Sequence, residues 1–425
     1  MCCCENDLDF PLEEVRYQFK LLNHQIFLNV ADQSMPGNYW LQAVRDFFDF
    51  QECGRMEDVP NQDIATHPFL MAATYEAIER CARLIGAHKE EVTLMYRPLQ
   101  AFNLIVNDML EAMQEWRAAD NVVFTDLTYP SAVYVFMGLR DRCGVELRCV
   151  KNVDGEILIE DLEKAVDERT RLVAINRTTP FCGFTYNVKE VCRIAHKVGA
   201  LVMDDAFQAV GAIDVDVHDD DVDFLVTGSY KWQNGPEGAG IFYIRRDLIE
   251  KINPRYRNYL AIEMPKGIPF SLADHDNVQS WDYPQIQTAQ KFSQDVITGP
   301  SAFGWLAALK FIEKLGIKNI EKRVRKLGQY LIEGLRSLNV TFQCSTDPEK
   351  VHGLITYTTG GEERDQACFE RFNFPPIGKK PIKVSLRMLG GVGGIRVSPH
   401  YYNTVEEIDT FLETQGEILA SMRKK

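Results

Sequence analysis

Between residues 120 and 245 the hydrophobic positions fall in short unbroken runs, separated by stretches with helical spacing. NVVFTDL (121–127), VELRCV (145–150), TRLVAIN (170–176), LVMDD (201–205), DFLVTG (223–228) and GIFYI (240–244) are too short for helices. All six read as strands, and those other than VELRCV lack the alternation of a strand with one wet face and read as buried on both sides. PSAVYVFMGLRDRCG, closed by Gly144, and IEDLEKAVD predict the helices between them. NVKEVCRIAHKVGA predicts another, capped by Asn187, stopped at Gly199, and carrying Val188, Val191, Cys192, Ala195 and Val198 on one face. Strands alternating with helices in this way predict an α/β fold with a mainly parallel sheet covered on both faces.

Near residue 300 the pattern changes. SAFGWLAALKFIEKLG and IEKRVRKLGQYLIEGLRSL predict two long helices, the second bridging into a smaller α+β unit. That unit holds strands in VTFQC, HGLITYTT, IKVSL and GIRVS, a helix in DQACFERF, and a terminal helix from about residue 404. The expected organisation is an N-terminal segment (1–26), a large domain (27–310) and a small C-terminal domain (311–425). A chain of 425 residues is long enough for two cores. The glycines of GGVGG (390–394) lack the strand–turn–helix setting of a dinucleotide fingerprint.

Charge narrows the function classes. The net charge is -14, and no basic stretch offsets it, which argues against a nucleic-acid surface. No apolar run is long enough for a membrane span. The start, MCCCENDLDF, lacks the parts of a secretory signal. Eleven scattered cysteines without a CxxC pair point to reduced thiols and a cytoplasmic protein. Cys2-Cys3-Cys4 reads as a terminal tip without a role. HDDDVD (218–223) reads as a solvated acidic turn, and no zinc-type His/Cys spacing points to a metal.

Chemistry gathers at the ends of the predicted strands, where open α/β sheets place ligands. LVMDD ends at Asp205, with Gln208 just beyond it, DFLVTG leads to Lys231, and NVVFTDL leads to Tyr129. Singly, each has an ordinary explanation: a cap, a surface lysine, a turn packed before Pro130. Together, in this order, they suit pyridoxal 5'-phosphate. Lys231 would hold the cofactor as a Schiff base, its neutral amine favoured by desolvation. Asp205 would keep the pyridine nitrogen protonated. Gln208 would reach the ring oxygen and Tyr129 would stack on the ring. Tyr230 and Ser229, with Thr227, offer hydroxyls to the phosphate.

The stretch LVMDDAFQAVGAIDVDV…VDFLVTGSYKWQNGPEGAGIFYI resembles the class V aminotransferase family of fold-type I pyridoxal phosphate enzymes. The resemblance runs from FLNVAD, near residue 27, to GIRVSPHYYNTVEEID. It implies the cofactor roles of Lys231, Asp205 and Gln208 given above, and makes Arg396 the clamp for the substrate carboxylate, a task suited to a planar fork. It also implies a homodimer with shared sites, in which Thr298 of VITGPS reaches the partner's phosphate. Departures are Tyr129 and Tyr230, where desulfurases and epimerases commonly have histidine, and YRPLQAFN (96–103), where small residues are expected. Arg97 in that loop is open to phosphate, substrate or a plain ion pair, and Arg177 is a candidate substrate contact.

The expected function is binding of an amino acid or amino-acid-derived intermediate and stabilisation of a Cα carbanion, isopenicillin N epimerase-like, in specialised biosynthesis. Carbon–sulfur lysis by direct elimination is the alternative. Decarboxylation or carbon–carbon bond formation uses the same electron sink. A catalytically silent scaffold is the alternative of another class. A persulfide-forming desulfurase is not expected, because Cys368 sits in an amphipathic helix and no cysteine lies between it and Arg396.

Overall fold

The computed structural model of the chain describes residues 10–53, 66–113, 116–256, 261–263 and 284–423. The Cys2-Cys3-Cys4 tip lies outside them. Thirteen strands occur among these residues. β1 (Ile26–Phe27) pairs in parallel with β11 (Ile382–Lys383). β2 (Val92–Met95), β3 (Asn121–Thr125), β4 (Glu146–Val150), β5 (Thr170–Asn176), β6 (Leu201–Asp205), β7 (Phe224–Gly228) and β8 (Gly240–Ile244) form one seven-stranded sheet. Its order is β2-β8-β7-β6-β5-β3-β4.

The run from β4 to β7 is parallel throughout, as the strand–helix alternation predicts. β8 is antiparallel to β7, and β2 antiparallel to β8. The link from Ser229 to Ala239 is too short for a crossover, so the chain must turn back on itself there. β2 is a short, fully buried apolar run, a pattern that periodicity alone does not separate from helix.

Alternation along the strands supplies two separate cores. Val123, Val173, Val202, Leu225 and Ile241 face one side of the sheet. Their neighbours Val122, Phe124, Leu172, Met203, Phe224, Val226 and Phe242 face the other. Side chains with a period of two, buried on both faces, give the continuous apolar runs of the sequence. At roughly 25 cal/mol per Å² of apolar surface removed from water, such runs dominate the stabilisation of the sheet.

The helix Gly299–Leu315 packs on the helices Asn38–Cys53 and Thr66–Leu84. Ile317–Arg336 follows it and packs on the terminal helix Val405–Arg423. β9 (Thr341–Phe342), β10 (Ile355–Thr358), β12 (Ser385–Leu389) and β13 (Val392–Val397) form an antiparallel sheet in the order β12-β13-β10-β9. Gly390 and Gly391 of GGVGG supply the turn between β12 and β13, and its last three residues begin β13. The helix Glu362–Asn373 packs on these strands. Among the described residues, no helix is long and apolar enough to cross a membrane.

Candidate active site

β5 and β6 run side by side, with Asn176 in register with Asp205 at their ends. Asn176 Nδ2 donates to Asp205 Oδ2 at 2.6 Å, and the Phe207 backbone N–H donates to Oδ1 at 3.1 Å. Asn176 Oδ1 in turn accepts the backbone N–H of Tyr129 at 3.1 Å, tying the end of β3 to the same network. Asp205 is only 5% exposed. Burial pushes its pKa up from the ordinary carboxylate range toward neutrality, and the two donated hydrogen bonds oppose that rise without cancelling it.

Lys231 reaches the same space from the turn after β7. Its neighbour Trp232 anchors that turn in the core. Trp232 is fully buried, edge-on to His352 and His400, and its carbonyl is 2.7 Å from His400 Nε2. Gly211 (φ +97°) makes room for the turn, because a Cβ there would come within 2.6 Å of the Trp232 carbonyl carbon. Of the two aromatics flanking the lysine, Trp232 therefore faces inward, while Tyr230 faces the cavity.

Lys231 is 9% exposed, and among the described residues it has no ion-pair partner within 4 Å. Its Nζ lies 4.2 Å from the centre of the Phe207 ring and 6.0 Å from that of Tyr129. Burial first, then the charge of Arg396, lower its pKa; Asp205 pulls the other way. The amine is thereby moved toward its neutral, nucleophilic form.

These groups line a cavity of about 210 Å³, together with Gln208, Arg97 and Pro98. Gln208 accepts from Trp232 Nε1 at 2.7 Å and donates to the Ala31 carbonyl at 3.0 Å, leaving one amide hydrogen for a ligand. Arg97 forms an ion pair with Glu237 at 2.7 Å and lies over the Tyr230 ring. Tyr129 stands at the rim, 44% exposed, its ring nearly parallel to that of Phe181.

Arg396 stands beside this cavity, on β13. Its Nε donates to Ser385 Oγ at 3.0 Å and its Nη1 to the Pro180 carbonyl at 2.6 Å. Its Nη2 is buried without a hydrogen-bond partner, 4.0 Å from Asp32. Arg387 bonds Asp32 directly. A buried guanidinium with a free N–H is short of an anion, which is the condition of a carboxylate receptor.

Arg177, Ser229 and Thr227 are placed away from this cavity. Arg177 follows Asn176 and points to the opposite face of the sheet, where it pairs with Asp204 and Asp220, each at 2.6 Å. It does not line the cavity. The Ser229 hydroxyl donates inward to the Pro236 carbonyl. Thr298 holds the N-cap position of the helix Gly299–Leu315 and donates to Ser301 Oγ at 2.9 Å, outside this chain's cavity; its expected contact is with a partner subunit's site. Thr227 is buried in β7, its hydroxyl without a partner. Asn176 and Phe207 were not anticipated from the sequence. A polar residue closing an otherwise apolar strand was the available signal for Asn176, whereas Phe207 looks like core.

The residues fit pyridoxal 5'-phosphate. A buried carboxylate with a raised pKa is short of a cation, and a protonated ring nitrogen supplies one. An amine without an ion-pair partner faces the same space.

The family described as Aminotransferase class-V matches residues 65–411. A probable cysteine desulfurase of Methanothermobacter thermautotrophicus is 27% identical over 420 residues, covering 96% of this chain and 98% of that protein. The apo structure of a cysteine desulfurase from Thermococcus onnurineus NA1 superposes with a TM-score of 0.80 at 23% identity, covering 97% of this chain and 98% of the other. The cystine C–S lyase C-DES, solved with its reaction product cysteine persulfide, gives a TM-score of 0.78 at 19% identity, covering 95% and 99%.

Proposed function

This chain belongs to the aminotransferase class-V family of pyridoxal phosphate-dependent enzymes, and from that premise we propose that it is a carbon–sulfur lyase. It would act on a cysteine-derived amino acid and release the sulfur as a free small molecule, without a protein thiol. The observation that carries this reading is the facing pair Asp205 and Lys231 in a cavity that no described cysteine lines. The relatives are named for sulfur chemistry, which favours lysis over an isopenicillin N epimerase-like reaction.

Bound pyridoxal 5'-phosphate supplies a conjugated ring that accepts electrons from the substrate Cα. In this reading Asp205, oriented by Asn176, stays ionised and holds the proton on the ring nitrogen. Arg396 binds the substrate carboxylate and fixes the orientation of Cα. Lys231, neutral because it is buried, removes the Cα proton. Breaking the substrate Cβ–S bond would send its electron pair out with sulfur, and the thiolate would take up a proton. With one water consumed, the products are the thiol or persulfide, pyruvate and ammonium.

A desulfurase instead needs a reactive thiol beside the substrate. Cys182, near the Pro180 wall, donates to the Gly155 carbonyl at 3.1 Å, and burial raises its pKa. Cys344 is pushed up to about 12 by burial. Cys368 is fully buried on its helix, and its pKa is raised as well. Thiols in such settings are inert.

The test is product analysis with cysteine and cystine, using cofactor-loaded protein. The reading expects pyruvate and ammonium in equal amounts, with sulfide from cysteine or cysteine persulfide from cystine. Alanine with a persulfide trapped on a protein cysteine would establish desulfuration instead. Inverted amino acid without pyruvate would establish epimerisation. Homodimerisation, with Thr298 reaching the partner's site, belongs to the same proposal and is checked by sedimentation.

A further inference from the structure

The acidic turn HDDDVD is not free to attract a cation through its carboxylates. Asp219 pairs with Lys189, Asp220 with Arg177, Asp221 with His196, and Asp223 with Arg245 and His196. Its histidine turns the other way. His218 Nε2 lies 2.7 Å from Glu91 Oε2, and the His88 ring is 5.0 Å from the His218 ring. From these contacts we propose that His88, Glu91 and His218 form a binding site for a divalent transition-metal ion of the zinc type.

The local fold brings the three ligands together. Lys89–Glu91 is a single 3-10 turn with His88 as its N-cap. In that geometry residues three apart lie one above the other, so His88 and Glu91 share a face. His218 is held by its own backbone: its N–H donates to Asp216 Oδ1 at 3.0 Å, and the N–H of Val217 donates to the Ile85 carbonyl at 3.0 Å. Gly86 (φ +68°) permits this approach, because a Cβ there would come within 2.7 Å of the Asp216 carboxyl carbon.

One ligand atom from each residue lies within 4.8 Å of the others. Zinc binds imidazole and carboxylate at about 2.0–2.2 Å, which sets its ligand atoms roughly 3.4 Å apart, so the His218–Glu91 pair opens slightly from 2.7 Å while the His88 atom closes in. His88 and His218 are exposed and can adjust, while Glu91 is 3% exposed and fixed. Its Oε2 also accepts the backbone N–H of His88 at 2.9 Å, a second hydrogen bond that orients the carboxylate. The metal takes the place of the proton shared by His218 and Glu91, which passes to solvent, and water completes the coordination. Two imidazoles and one carboxylate form a recognised zinc donor set.

The site lies at the start of β2, level with Tyr243 near the end of β8. That is the edge of the sheet opposite Asp205 and Lys231, so the ion would act as a staple between the turn before β2 and the loop between β6 and β7.

The experiment uses cofactor-loaded, full-length protein carrying Cys2→Ser, Cys3→Ser and Cys4→Ser, stripped with a chelator. Calorimetric titration with Zn²⁺ is expected to show one equivalent per chain and a rise in Tm, with the cofactor absorbance unchanged. Removing a ligand, as His218→Ala or His88→Ala, should weaken binding by more than the roughly 10–100-fold typical of an outer-shell partner. Co²⁺ in the same site should absorb in the visible without a thiolate charge-transfer band. Failure to bind one equivalent, binding that survives both substitutions, or a thiolate band would each overturn the site.

Discussion

Asp204 and Asp205 are neighbours in β6, chemically identical and both deeply buried, yet they stand in opposite electrostatic situations. Asp204 faces Arg177, whose guanidinium also holds Asp220. That face is an ion-pair cluster in which each charge has an opposite charge beside it. Asp205 faces Asn176, a neutral amide, and a cavity. It has hydrogen bonds but no direct cation. One residue further on, Asn176 and Arg177 divide between the same two faces. A sheet thus separates structure from chemistry by a single step along the strand. The face whose charges are mutually satisfied is built for stability, and the face whose charges are left wanting is built for a ligand.

The largest effect should come from the cavity side. Lys231→Ala is expected to lower kcat by about 10²–10⁴-fold or more, since it removes the group that moves the Cα proton. Steady-state product formation checks this, and near-normal turnover would remove Lys231 from the chemistry.

The two aspartates should then separate. Asp204→Ala leaves a buried guanidinium with one partner fewer and should cost up to about 3–5 kcal/mol of stability. Asp205→Ala should leave stability much closer to that of the parent while turnover is lost. Urea unfolding and kinetics on both variants decide it. Equal stability losses would erase the contrast between the faces.

Arg396→Lys should weaken apparent substrate affinity by about 2–5 kcal/mol, because an ammonium cannot reproduce the fork and Nη2 would go unreplaced. Unchanged affinity, measured from KM or a competing amino acid, would place the carboxylate elsewhere.

The smallest effect is a slope. In cofactor-free protein the Asp205 pKa is raised above its unfolded value by burial. The folded state therefore holds more protons than the unfolded state between those two values, and stability falls as pH rises through that window. Asp205→Asn does not titrate, so its stability relative to the parent should improve from the ordinary carboxylate range toward neutral pH. Parallel pH profiles of Tm would show that Asp205 is not strained by burial.

The sheet was legible in the sequence because strands buried on both faces leave unbroken apolar runs, and the helices between them carry caps such as Asn187, which accepts the Glu190 N–H at 3.3 Å. Lys231, Asp205 and Gln208 were legible because they follow such strands directly, and they line one cavity. Arg177 was misplaced because the parity of one strand residue decides its face, and residue type does not reveal parity. Asn176 and Phe207 were missed because their roles depend on what lies across the sheet. The return of β8 was hidden in a link whose length, rather than its composition, forbids a crossover.

We propose that the unsatisfied face of β6 is where this chain holds its cofactor, through Lys231. Borohydride reduction of the cofactor-loaded protein, followed by peptide mass mapping, tests it directly. The pyridoxyl mass is expected on the peptide containing Lys231 in the parent and should be absent in Lys231→Ala. Label on a different lysine, or undiminished label in that variant, would contradict it.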